Sequence, residues 1–195
     1  MRLRVYYTPK RQAPSNNLNK CYCFVISYRK ENFVWKRGTP MTIRLKPLAV
    51  SVAVPLAGGL LSNWLSGDVR AVYESLNLPA FAPPAWIFGV VWPLLYLLLG
   101  IAAYLIWEKP ASSARTQALT FYGVQLLLNF LWSPLFFRFG LFRFAFWELC
   151  ALFALAAVTA ACFAMLSRRT LWLTAPYLCW LLYAAALNRA VAALN

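Results

Sequence analysis

The sequence predicts an all-α protein: a membrane-embedded bundle of five transmembrane helices. Two observations carry this. The chain of 195 residues is 62% hydrophobic and 12% charged, against roughly 25% charged residues in an average soluble domain. Those few charges also fall between long apolar runs. Residues 47–67, 85–107, 116–137 and 170–188 contain no Asp, Glu, Lys or Arg, and 144–167 contains only Glu148. About 20 helical residues cross a hydrocarbon core, and a bilayer forces each crossing segment to satisfy its own backbone hydrogen bonds. Five helices follow.

The net charge of +14 is unevenly placed. Residues 1–47 carry eleven Lys or Arg and one acid, Glu31, whereas residues 48–195 carry eight basic and four acidic side chains. A basic tail beside a membrane segment biases topology or meets anionic headgroups, so no nucleic-acid partner is expected. The chain has no histidine, which removes the commonest metal ligand, general base and haem axial ligand together. Cys21 and Cys23 lack a matching ligand pair, and Cys150, Cys162 and Cys179 fall inside apolar runs as small hydrophobes. No metal site is expected.

Taken in order, residues 1–40 form a basic extension, expected to be disordered or outside the native protein, with Met41 as the natural start; residues 41–195 are the membrane domain. The first transmembrane helix spans about Lys46 to Leu65, and its Gly58-Gly59 pair suits close approach of another helix. The connection from Ser66 to Pro84 is long, aromatic and proline-stiffened, and reads as a loop able to act as a lid. Its double proline Pro83-Pro84 reads as the start of the second helix, because a missing N–H costs nothing in a first turn. Phe88, Trp92 and Tyr96 then recur every fourth residue along one face, and the helix ends at Trp107.

In the third helix, Gln125, Asn129, Trp132, Ser133 and Phe136 share a face. Unpaired amides are costly in hydrocarbon, so this face points into the bundle, where it bonds other helices, lines a cavity, or does both. The fourth helix carries Glu148 near its start at Arg143, where a carboxylate is expected to snorkel or pair at the interface. In the fifth, Tyr177, Trp180, Ala184, Leu187 and Asn188 share a face, small Ala184 beside large Trp180 leaving room for a ligand or a close helix. Arg44, Lys46, Lys109, Arg115, Arg168 and Arg169 fall at one end and Arg70, Arg138 and Arg143 at the other. That bias predicts a cytoplasmic N-terminus.

These residues resemble the TspO family of tryptophan-rich sensory proteins, related to the mitochondrial translocator protein. The markers occur in family order over residues 41–195: Tyr73, Leu76, Pro79, Pro83-Pro84, Phe88-Gly89, Trp92 and Leu95-Tyr96; then Gln125-Leu126, Asn129, Trp132-Ser133 and Phe136-Phe137; then Pro176-Tyr177, Trp180, Ala184 and Leu187-Asn188. The resemblance implies a five-helix bundle, often dimeric, that binds porphyrins and related tetrapyrroles, hydrophobic drugs and sterols between its helices beneath the first loop. It also implies a link between Trp92 and Trp180 and light-dependent porphyrin breakdown. The sequence departs from the family at Val72, Leu78 and Ala80, where Trp, Lys and an aromatic are usual.

The expected function is therefore that of a multi-pass membrane sensor or carrier binding a porphyrin, metal-free for want of an axial histidine. A light-dependent porphyrin-degrading enzyme using Trp92 and Trp180 is the alternative. Ligand-binding residues are expected at Tyr73, Pro79, Pro83, Pro84, Phe88, Trp92, Tyr96, Gln125, Asn129, Trp132, Ser133, Trp180, Ala184 and Asn188. A homodimer in a bacterial cell membrane, or an organelle membrane in a eukaryote, completes the expectation.

Overall fold

The computed structural model describes residues 44–195; the expectations for the N-terminal extension, the start at Met41 and the Cys21–Cys23 pair lie outside the described residues. Among the described residues, five helices are long and apolar enough to cross a membrane. They are α1 (Leu45–Ser66), α3 (Trp86–Trp107), α4 (Ser113–Ser133, continued by a π-helical turn, Pro134–Arg138), α5 (Phe142–Leu166) and α6 (Arg169–Leu194). A short helix, α2 (Val69–Ser75), lies between the first two spans. Along the chain, α5 packs against α4 and α6, α3 against α1 and α6, and α4 against α1.

The surface identifies the solvent. Large apolar side chains such as Val50, Val54, Leu94, Leu127, Val158 and Leu182 stand exposed along every span, an apolar surface of the kind that marks a membrane-facing protein. Tryptophans grade the depth. Trp64, Trp86 and Trp147 are exposed near one end of the bundle, and Trp107 and Trp172 near the other. Two such belts suit the two headgroup regions. Trp92, Trp132 and Trp180 stay inside.

The first connection is not a simple loop. Asp68 caps α2 by accepting a hydrogen bond from the Ala71 N–H at 3.0 Å, the usual use of an Asp before a first turn. Gly67, at φ 78°, turns the sharp corner that α1 and α2 share. After α2, the extended segment is fastened rather than free. The Asn77 N–H donates to the Asn195 side chain at 3.0 Å, the Asn195 amide donates back to the Asn77 carbonyl at 3.1 Å, and the Tyr183 hydroxyl donates to the Phe81 carbonyl at 2.9 Å. The double proline stands just before the helix: regular α3 begins at Trp86, and the Pro84 carbonyl accepts its first turn-like bond, from the Ile87 N–H at 3.0 Å.

The helix α4 changes register at Pro134, and the cause is local. Proline has no N–H for the carbonyl four residues back, so Phe130 O is left free, and it accepts from the Ser62 hydroxyl of α1 at 2.6 Å. Ser66 donates to Ser133 Oγ at 2.8 Å, and Arg138 donates to the Leu65 carbonyl at 3.1 Å. A proline break in one helix thereby anchors another.

The glycine pair of α1 sits in a close contact, as expected. A Cβ at Gly58 would strike the Phe130 ring, and one at Gly59 the Tyr96 ring. Backbone meets backbone, however, at Gly100 of α3, where a Cβ would meet the Ser51 carbonyl oxygen and Val52 Cα of α1, both at 2.7 Å.

Glu148 departs from its expected place at the interface. It lies on the inward face of α5 with Ala145, Leu149 and Leu152, all fully buried or nearly so, and both carboxylate oxygens are buried without a hydrogen-bond partner among the described residues. A side chain rooted on that face is turned toward the bundle interior rather than toward lipid or water.

Candidate functional site

A cavity of about 720 Å³ opens between α1, α2, α3 and the end of α4. Its aromatic wall comes mainly from α3, whose Phe88, Trp92 and Tyr96 face it in a row, and from Trp132 and Phe137. Trp92 is the centre of that wall. Its ring stacks on Tyr96 at 5.7 Å and 29°, lies 6.3 Å from Trp132, and meets Trp180 edge-on at 6.3 Å. Phe88 extends the cluster to Tyr73 at 5.2 Å and to Trp180 at 5.9 Å.

Seven of the sequence-expected residues line the cavity: Tyr73, Phe88, Trp92, Tyr96, Asn129, Trp132 and Ser133. The other seven stand behind or beside it. Trp180 backs Phe88 and Trp92 from α6, and Ala184 is buried on the same helix face. Pro79, Pro83 and Pro84 belong to the fastened segment, so that α2, rather than the prolines, borders the cavity. Gln125 is buried on α4 with both amide atoms unpartnered among the described residues. Asn188 is buried on α6; in the amide orientation that satisfies both its ends, it donates to the Phe142 carbonyl at 2.8 Å and accepts from the Trp132 indole N–H at 3.1 Å. It holds a cavity tryptophan in place from outside the cavity.

Asn129 does comparable work from within. Its carbonyl oxygen accepts from the Tyr96 hydroxyl at 2.6 Å, and its amide donates to the Tyr177 hydroxyl at 3.1 Å. One side chain thus ties α3, α4 and α6 together at the cavity wall. In hydrocarbon such an amide has no water to fall back on.

The opposite wall belongs to α1, which sequence reasoning left out of the site. Leu56, Gly59, Leu60 and Asn63 line the cavity with Ser62, and the first four recur at helical spacing. That spacing was the available signal, but a face of small and aliphatic residues announces nothing chemical. At the mouth stand Asp68 and Arg70 of the α2 region. Arg70 donates to Glu74 at 2.7 Å, both side chains being well exposed. It places a cation beside the cavity although Leu78 offers none.

Tyr73 closes the inner end of α2. Its hydroxyl donates to the Pro83 carbonyl at 2.9 Å, and burial, with a smaller contribution from nearby Tyr183, pushes its pKa up to about 12. A folded-state pKa above the ordinary value of 10 favours the protonated donor, so this contact contributes in full below pH 10 and is lost as pH rises from 10 through about 12. The order of α2 is therefore expected to be flat across neutral pH in the wild type. Hydrogen exchange of residues 69–75 should rise in Tyr73→Phe at pH 7; equal exchange in the two proteins would mean that the hydroxyl is idle.

Five apolar spans around a largely apolar cavity, with a few polar groups at its wall and mouth, define a multi-pass membrane protein with a cavity of small-molecule size among its helices. The chain matches the TspO/MBR family over residues 51–194. It is 37% identical over 138 residues to the translocator protein of Ovis aries, covering 69% of this chain and 82% of that one. It is 38% identical over 151 residues to the tryptophan-rich protein TspO of Archaeoglobus fulgidus, covering 77% and 97%, and 35% identical over 123 residues to the tryptophan-rich sensory protein of Cereibacter sphaeroides, covering 63% and 76%. The chain belongs to the TspO/MBR family.

Proposed function

We propose that this protein binds a tetrapyrrole, a porphyrin in particular, in the cavity between α1 and α4, and acts as a membrane sensor or carrier for it. The observation that carries the reading is the Trp92-centred wall. A flat apolar macrocycle can stack on Trp92, Tyr96 and Trp132, each aromatic pair contributing roughly 0.5–1.5 kcal/mol beyond burial. The cavity volume of about 720 Å³ falls within the roughly 300–1,000 Å³ of small-molecule sites. Arg70 at the mouth is suited to a porphyrin carboxylate. Relatives named as translocator and sensory proteins accord with transport or sensing. Sterols and other flat hydrophobic molecules compete for the same wall in this reading.

The test is a titration of the full chain in detergent with protoporphyrin. Tryptophan fluorescence should quench saturably, and Trp92→Phe should weaken binding roughly threefold, the smaller ring keeping part of the stacking contact. Arg70→Gln should weaken binding of free protoporphyrin but not of its dimethyl ester. Unsaturable quenching, or an affinity unaltered by Trp92→Phe, removes the porphyrin from this wall.

Light-dependent porphyrin breakdown is the second reading, favoured by one arrangement. Trp92 lies 6.3 Å from both Trp132 and Trp180, so a bound macrocycle would face two of these oxidisable indoles, with the third directly behind Trp92. Illuminating the complex and finding its porphyrin absorbance bleached no faster than in free solution disposes of it.

A further inference from the structure

On the outer face of α5 and α6, away from the cavity, lies a second groove of about 620 Å³. None of its lining residues is shared with the first site. Arg143, one residue inside the start of α5, and Arg189, near the end of α6, both border it. Among the described residues neither guanidinium has a carboxylate partner; the ion pairs there are Arg44–Glu108 and Arg70–Glu74. Arg189 is instead held over the Phe146 ring at 5.9 Å. Two exposed arginines thus share one groove with nothing of opposite charge.

The rest of the groove is apolar. Ala186, Ala190 and Ala193 form a strip along α6 at helical spacing, and Phe81 and Trp147 stand at its sides, 51% and 70% exposed. Trp147 belongs to the same aromatic belt as Trp64 and Trp86, which sets the two arginines at headgroup depth. Ala186 lies about one turn deeper in the span than Arg189, as Trp147 does relative to Arg143, while Ala190 and Ala193 continue toward the helix end.

We infer that this groove binds an anionic phospholipid, its phosphate held between Arg143 and Arg189, its backbone against the alanine strip and an acyl chain entering the span past Ala186 and Trp147. The charge decides the occupant. A phosphate accepts charge-assisted hydrogen bonds from guanidinium groups, and a basic pocket between membrane helices at the interface is the arrangement that recognises anionic headgroups. A zwitterionic lipid brings a cation to the same place, and a free phosphate leaves the alanine strip bare. The Phe81 wall is part of the segment fastened to α6 through Tyr183 and Asn195, so the groove is formed without its ligand.

The full chain, exchanged into detergent with equal phosphatidylglycerol and phosphatidylcholine and examined by native mass spectrometry, should retain one phosphatidylglycerol in preference to phosphatidylcholine. Arg143→Gln with Arg189→Gln should lower that occupancy roughly tenfold. Ala190→Leu, which fills the strip and leaves both charges, should lower it as well, and Arg168→Gln with Arg169→Gln, at the far end of the bundle, should not. Equal retention of the two lipids, no loss in the Arg143/Arg189 variant, an equal loss in the Arg168/Arg169 variant, or displacement of the lipid by millimolar inorganic phosphate each overturns the inference.

Discussion

Gly100→Leu is expected to be the most damaging single substitution in the bundle, lowering the thermal unfolding midpoint in detergent and the yield of monodisperse protein. At this crossing the added atoms meet backbone, the Ser51 carbonyl oxygen and Val52 Cα, each 2.7 Å from where a Cβ would stand. A side chain in the way can rotate; a helix backbone must move as a whole. Overpacking ordinarily costs about 1–3 kcal/mol, and association in lipid rests on close van der Waals contact between small residues, which places this case at the upper end. Gly100→Ala should be milder than Leu but still damaging. The control is Gly123→Ala, where nothing lies within 4 Å of the new atom and helix propensity improves by about 1 kcal/mol. If Gly100→Leu unfolds with the wild type, the crossing is not the close contact described.

Asn129→Leu should cost about 1–3 kcal/mol, the range for leaving buried polar groups unpartnered. The branching and the number of side-chain heavy atoms are kept, so the main loss is one of hydrogen bonds. Tyr96 and Tyr177, 7% and 1% exposed, would both lose the group that satisfies them. Interhelical hydrogen bonds in membranes average only about 0.6 kcal/mol, so the two orphaned phenols carry more of the penalty than the two bonds. Porphyrin affinity should fall too, because Tyr96 stacks on Trp92 and would no longer be tethered. A double-mutant cycle separates the effects: once Tyr96 is Phe, Asn129→Leu should cost less than it does alone. Strict additivity would break the proposed tie between them.

The five spans were legible because charges are expensive in hydrocarbon, so they mark the ends of the apolar runs. The inward faces of α4 and α6 were legible for a related reason: amides and phenols at helical spacing have to point away from lipid. Asn129 and Tyr177 do meet across the bundle. Which inward face borders the cavity was not legible, since it depends on how the helices are arranged around one another. Periodicity directs Trp180 and Ala184 inward without saying that α3 stands between them and the opening. The helix α2 left a faint sign in Gly67-Asp68, a corner followed by a cap, which the prolines downstream outweighed. The π-helical turn left Pro134, but its consequence depended on a serine 72 positions earlier in the chain. Glu148 was misplaced because distance from a helix end was allowed to decide what its face decides.

Among the spans, α1 has the smallest buried share: Pro55, Ser62 and Ser66. Two of those three residues are the ones that bond to the broken end of α4, while the other half of the helix is seated at Gly100. This is the construction of a door, hinged at one end and latched at the other by hydroxyl groups. Lipid tails solvate an apolar helix surface as well as another helix does, so opening the latch exposes little that a bilayer penalises. Under the proposed binding role, a guest thicker or thinner than the resting gap would be admitted at the cost of a few hydrogen bonds. In that role, chemically dissimilar flat molecules would share one chamber without any rearrangement of the tryptophans behind it.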